Sequence, residues 1–172
     1  MDVKKSIADR VNRYRRIRRK MKEVEAHIKD WVQKVSKVRP ELGGFSVCPY
    51  ASKAKYKVIE CQAEDIMPVS GYDVVFYVIE DYFDLESVQF WVNFYNKLHP
   101  EWLFFEDCAC YDTYVGTIQS NNGKYNLILM QNKKDLQKNR ERLAKTGYYH
   151  HWNDAYLREI LGDDYEMVKN SG

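Results

Sequence analysis

No apolar run in this chain approaches the roughly 18 residues that cross a bilayer as a helix, so no membrane-spanning segment is expected. The first ten residues, MDVKKSIADR, are charged and lack the apolar core of a leader peptide, so nothing there marks export. Cysteine is scarce. Cys48, Cys61, Cys108 and Cys110 do not make a disulfide scaffold in a chain of 172 residues, and a reducing, cytoplasmic setting is expected. No Gly-rich phosphate loop, nucleophile elbow or His-Glu metalloprotease spacing occurs, which removes the commonest motif-borne chemistries. Internal repeats and low-complexity segments are missing too.

What is present reads as a globular domain with an extension: 45% of residues are hydrophobic and 30% charged. The net charge of +2 hides an asymmetry. Residues 1–22 carry ten Lys or Arg against Asp2 and Asp9, so this segment is +8 and the rest of the chain is −6. The spacing predicts a long helix here. Tyr14, Met21, Ile28 and Val35 recur every seventh residue, with Ile17, Val24, Trp31 and Val38 three places after each. Pro40 and Gly43-Gly44 stop the pattern. Such a stripe suits either one helix lying on its own domain or a helix pair between subunits, so a homo-oligomer stays open. We divide the chain into a basic amphipathic helix over 1–40 and an α+β domain over 41–172.

Within the second part, YKVIEC (56–61) and YDVVFYVIED (72–81) read as strands, the latter apolar enough to be buried on both faces. DLESVQFWVNFYNKLHP reads as a helix capped by Asp84, with Leu85, Val88, Val92 and Tyr95 facing inward. EWLFFEDCACYDTYVG begins as a third strand, and SNNGKYNLILMQN supplies an Asn-Gly turn and a fourth. Two helices close the chain, one ending at Gly147 and one running from Asn153 to Gly162. The order β-β-α-β-β-α predicts an α+β fold. We expect a mainly antiparallel four-stranded sheet with helices on one face, a ferredoxin-like variant, and the long N-terminal helix free to cover the other.

Three groups of residues carry possible chemistry. Cys48 lies in a glycine-led loop with Lys53 and Lys55 close behind, and positive charge favours a thiolate; equally, a free cysteine packs as a small apolar residue. Strand alternation would put Glu106, Cys108, Cys110 and Asp112 on one face, where two thiols and two carboxylates suit a divalent metal such as zinc. His150 and His151, in an aromatic loop between the last two helices, could act as acid, base or ligand, or the loop could pack as a lid. On the basic helix, Arg13, Arg15, Arg16, Arg19 and Lys20 surround the apolar stripe with charge that suits a phosphate backbone, RNA or DNA, without any base-reading motif.

Trp31, a Gly-led loop and then Cys48-Pro49-Tyr50-Ala51 resemble the opening of an uncharacterised bacterial family marked by Leu-Cys-Pro-Phe-Ala (domain of unknown function 1415). Here Val47 stands for its Leu and Tyr50 for its Phe. The resemblance implies a similar order of elements over roughly residues 31–143 and supplies no reaction. Cys-Pro-Tyr also opens the glutaredoxin active site, but position 51 is Ala and a strand follows too soon, so no dithiol role is expected of this motif. Two functions remain. One is a small-molecule-binding protein, or a thiol- or metal-dependent enzyme, with its pocket where the Cys48 loop meets the third strand. The other is a nucleic-acid-binding or assembly module acting through the basic helix.

Overall fold

The computed structural model describes residues 3–170, with side-chain surroundings from Arg15 onward apart from Ile17. Arg13, Tyr14 and Ile17 therefore lie outside the described side chains. Helix α1 runs Val3–Ser36, 34 residues without interruption, about 51 Å at 1.5 Å per residue. Among the described side chains, its apolar face enters the core at Val24, Ile28, Val32 and Val35, which are buried. That spacing follows the 3.6-residue period of a straight helix on a surface. Val32, off the heptad stripe, is inside, whereas Val38 lies beyond the helix and is 64% exposed.

The surface α1 covers is a sheet of β1 (Tyr56–Glu60), β2 (Val74–Val78), β3 (Trp102–Asp107) and β6 (Leu127–Asn132), in the order β1-β2-β6-β3. The fold is α+β as expected. The sheet is mixed: β1 pairs parallel with β2, while β2–β6 and β6–β3 are antiparallel. All five residues of β2 are buried because it lies inside the sheet and both faces are covered. Its alternate side chains diverge. Val74, Phe76 and Val78 meet α1, whereas Val75 and Tyr77 join the core under α2 (Leu85–Leu98). Asp84 caps α2 by accepting from the Ser87 amide at 2.9 Å, and Val88, Val92 and Tyr95 form its inner face. The core tyrosines keep their hydroxyls satisfied on backbone: Tyr95 donates to Ala63 O at 2.7 Å and Tyr77 to Met67 O at 2.6 Å.

Between β3 and β6 the chain makes a small hairpin, β4 (Tyr114–Val115) with β5 (Ile118–Gln119). After β6 come α3 (Lys133–Ala144), α4 (Asp154–Leu161) and the short α5 (Tyr165–Lys169), which share a satellite core of Tyr148, Tyr149, Leu157, Leu161 and Tyr165. Arg140 staples this unit: its guanidinium donates to Asp164 Oδ2 at 2.8 Å and to Ile160 O at 2.6 Å. No described helix is long and apolar enough to cross a membrane.

Among the described side chains of α1, the first to enter the core is Val24, and Lys20 pairs with Glu60 at the end of β1 at 2.5 Å. Removing residues 1–19 should therefore leave the denaturant midpoint almost unchanged, whereas Ile28→Ala should cost about 2–5 kcal/mol. A truncated chain without cooperative unfolding would show that the basic half of α1 is part of the core.

Candidate functional site

The residues expected to form a metal site do not come together. Asp107 pairs with Leu127, the first residue of β6, so no ladder partner is left for Cys108 and β3 ends there. Beyond that point the alternation of Glu106, Cys108, Cys110 and Asp112 is lost, and Cys108 and Cys110 are joined to each other as a disulfide. Among the described residues no group of three or more His, Cys, Asp or Glu could hold a metal ion. The expected zinc-type centre at Glu106, Cys108, Cys110 and Asp112 therefore finds no support among the described residues.

Cys48 occupies a structural turn. Its amide donates to Val35 O at 2.8 Å, satisfying a carbonyl that the end of α1 leaves open, and its own carbonyl accepts from Ala51 N at 3.2 Å. Tyr148 donates its hydroxyl to Val47 O, so the aromatic loop of the tail closes over this turn. Cys48 keeps exposed surface, yet the protein atoms packed around its sulfur push the thiol above its ordinary pKa, against the smaller opposing effect of the Tyr50 and Ala51 amides. That direction is opposite to the activation expected from Lys53, which stands exposed on its own short turn.

A groove of about 510 Å³ opens elsewhere, between the β4–β5 hairpin and α4. One wall is Tyr111, Asp112 and Tyr114; the other is Asn153, Tyr156 and Glu159, with His151 at the end. Of the residues singled out in the sequence, it takes in His151 and Asp112 and leaves out Cys48, Lys53 and His150. Each wall is fixed by local chemistry. Asn153 caps α4 by accepting from the Ala155 amide at 2.9 Å, which sets Tyr156 and Glu159 one turn apart on one face. Tyr156 stacks on Trp152 with an interplanar angle of 15°, and its hydroxyl reaches Ser120 Oγ at 3.3 Å, which in turn bonds Thr113 Oγ1 at 2.7 Å. Asp112 is pinned across the hairpin by Gln119 Nε2 at 2.9 Å. His151 sits against Gly43, whose φ of +64° and lack of a Cβ both matter: a Cβ there would collide with the imidazole Nε2. Burial pushes the carboxyl of Glu159 upward, with repulsion from Glu106 adding to it. Tyr111 and Tyr114, about half exposed, leave ring surface open at the mouth.

The hairpin is held in place by two asparagines, Asn121 and Asn122, from a segment that the sequence marks only as a turn. Asn122 donates from Nδ2 to Asp107 Oδ1 at 2.6 Å, and its Oδ1 accepts from the Lys124 and Tyr125 amides at 3.0 and 2.8 Å. Its carbonyl receives the His27 Nε2 proton at 3.1 Å, and Trp31 donates to Ser120 O at 2.9 Å, so α1 grips the same loop. Asn121 Nδ2 donates to Tyr111 O at 3.2 Å. The only advance signal was the Ser120-Asn121-Asn122-Gly123 run, and short amide side chains that bond nearby backbone are the physics behind it.

Compared with protein-family models, with curated proteins and with solved structures, the chain gives no match.

Asp107 gives this hub a pH dependence. Burial raises its carboxyl to about 6, outweighing the Asn122 hydrogen bonds that lower it. A carboxyl with a raised folded pKa favours folding while protonated, so its contribution is complete below about pH 4 and lost as pH climbs through about 6. Over that interval the group should remove about 3 kcal/mol of stability. Asp107→Asn, which keeps an oxygen for Asn122, should flatten denaturant midpoints measured between pH 4 and pH 7. An unchanged slope would assign the effect to another group.

Proposed function

We propose that this chain binds a small ammonium-bearing ligand in the groove between the hairpin and α4. The observation that carries the reading is the lining itself. Three tyrosines stand with Asp112 and Glu159, and no Lys or Arg is among the lining residues. Ring faces attract cations through the aromatic quadrupole, and carboxylates supply the counter-charge. An anionic ligand would meet two carboxylates there and no Lys or Arg. No reaction is assigned. The Cys-Pro-Tyr-Ala resemblance adds a local motif and no substrate, and Cys48 lies outside the lining. Titration with primary amines and polyamines, followed by amide and tyrosine NMR shifts, should perturb Tyr111, Tyr114 and Tyr156. Glu159→Gln should weaken the tightest amine about tenfold, equivalent to roughly 1.4 kcal/mol. Equal response to sugars or to inorganic phosphate would defeat the cationic reading.

A second reading rests on a separate observation. Arg15, Arg16 and Arg18 are exposed on α1 and make no ion pair among the described residues, while Arg19 bonds only Glu23 one turn on, at 3.1 Å. An arginine-rich helical segment with these side chains exposed supports polyanion binding. Changing Arg15, Arg16 and Arg19 together to Gln should reduce the salt slope of single-stranded RNA binding by about 2, at roughly 0.7 for each phosphate no longer neutralised. An unaltered slope would remove these residues from any interface.

A further inference from the structure

Cys108 and Cys110 close a ring across one intervening residue at the end of β3. The two sulfurs are unequal. Cys108 is 3% exposed and sits in the core under α2, whereas Cys110 is exposed on the turn. Cys108 Sγ also lies 3.2 Å from Asn126 Oδ1. The orientation of that amide is fixed by its neighbours: Nδ2 donates to Glu80 O at 3.1 Å and to Phe83 O at 2.9 Å, and Oδ1 accepts from the Ala109 amide at 3.1 Å. A flip would set an oxygen against two carbonyls. The oxygen therefore faces the sulfur. A disulfide sulfur has no proton to offer, so this contact becomes a hydrogen bond only when Cys108 is a thiol. The buried half of the pair has an acceptor waiting for its reduced form, and the other half is open to solvent.

We propose that Cys108–Cys110 is a redox-active pair that exchanges with a low-molecular-weight thiol, Cys110 being the sulfur that partners meet. A partner thiolate attacks Cys110 Sγ, forming a mixed disulfide as the Cys108–Cys110 bond breaks. The electron pair of that bond goes to Cys108 Sγ, toward which the Cys110 amide donates at 3.3 Å. Cys108 takes a proton from solvent, and its S–H then donates to Asn126 Oδ1. A second partner thiolate attacks the partner's own sulfur in the mixed disulfide. It leaves as the oxidised partner, and Cys110 is released as a thiolate that is protonated in turn. Two electrons and two protons pass to the protein, and two partner thiols become one disulfide. The reverse sequence reoxidises the pair with the same class of disulfide. The inference does not use the groove, and its failure leaves the ligand reading intact.

The test is equilibration of the full chain in glutathione buffers from reducing to oxidising, followed by acid quench, alkylation and peptide mass mapping. The 108–110 pair should convert reversibly between dithiol and disulfide while the near-ultraviolet dichroism of the folded state persists. The transient glutathione adduct should map to Cys110. In Cys108→Ser, Cys110 should be modified about a hundredfold faster than Cys108 is in Cys110→Ser, because only the buried sulfur must wait for local opening. Where a variant does not fold, the position of the adduct in the wild-type chain decides alone. Reduction that occurs only in denaturant would make the bond a structural crosslink and overturn the proposal. So would an adduct on Cys108, equal rates in the two variants, or a pair that stays dithiol in the most oxidising buffer.

Discussion

Everything around the groove depends on how the chain leaves and re-enters the sheet between β3 and β6. Both strands end in backbone that no longer has a ladder partner, and buried peptide groups left unpaired are costly. Side chains take over where strands stop. Asn126, 3% exposed, fills this role at one end: its amide binds the carbonyls of Glu80 and Phe83 beyond β2 and the amide of Ala109 beyond β3. Its own carbonyl still accepts from Ile79 N at 3.1 Å. Four peptide groups from two segments are thus satisfied by one residue. Asn122 and Asn121 do the same one turn earlier, toward Asp107 and Tyr111. Removing any of the three leaves several hydrogen-bond partners unpaired at once.

This arrangement explains how a hairpin of two-residue strands keeps a defined place. Two strands of that length have little stability of their own. The hairpin is held from beneath by Val115 and Ile118, which pack with Val35, Leu42 and Val47. From the side it is held by hydrogen bonds of Trp31 and His27 to the backbone of Ser120 and Asn122. Helix α1 therefore does two things with neighbouring residues. Ile28 and Val32 cover the sheet, while His27 and Trp31, on the adjoining edge of the same face, fix the loop.

The strands of the main sheet and two helix caps were legible because they follow from local periodicity and cap chemistry: Asp84 and Asn153 each accept from the helix they open. The parallel pairing of β1 with β2 was not, since strand direction depends on how the segment 61–73 returns, and no short-range pattern encodes it. The site was half legible. His151 and Asp112 were picked out by residue type, but their companions Tyr111, Tyr114, Tyr156 and Glu159 carry no motif and meet only through tertiary packing. The thiols were misplaced for a definable reason. Alternation along a strand holds only while the strand continues, and the length of β3 is set by where β6 begins, 20 residues later, with Asp107 opposite Leu127.

That dependence of one strand's end on another's beginning also separates the fates of the four cysteines. Cys61 leaves β1 beside Glu80 and Asp65, and burial with those carboxylates pushes its thiol to about 11, which keeps it protonated and inert. Cys48 is held by the end of α1 and roofed by Tyr148, and its thiol is likewise pushed up. Cys108 and Cys110 fall where β3 has run out of partners, so backbone there is free to turn back within two residues and bring the sulfurs together. The same loss of ladder that dissolves a metal-binding stripe creates a ring, with one sulfur in the core and one in solvent. Four residues of one type thus diverge in chemistry through their surroundings: a helix end, a strand end beside carboxylates, and a turn braced by Asn126.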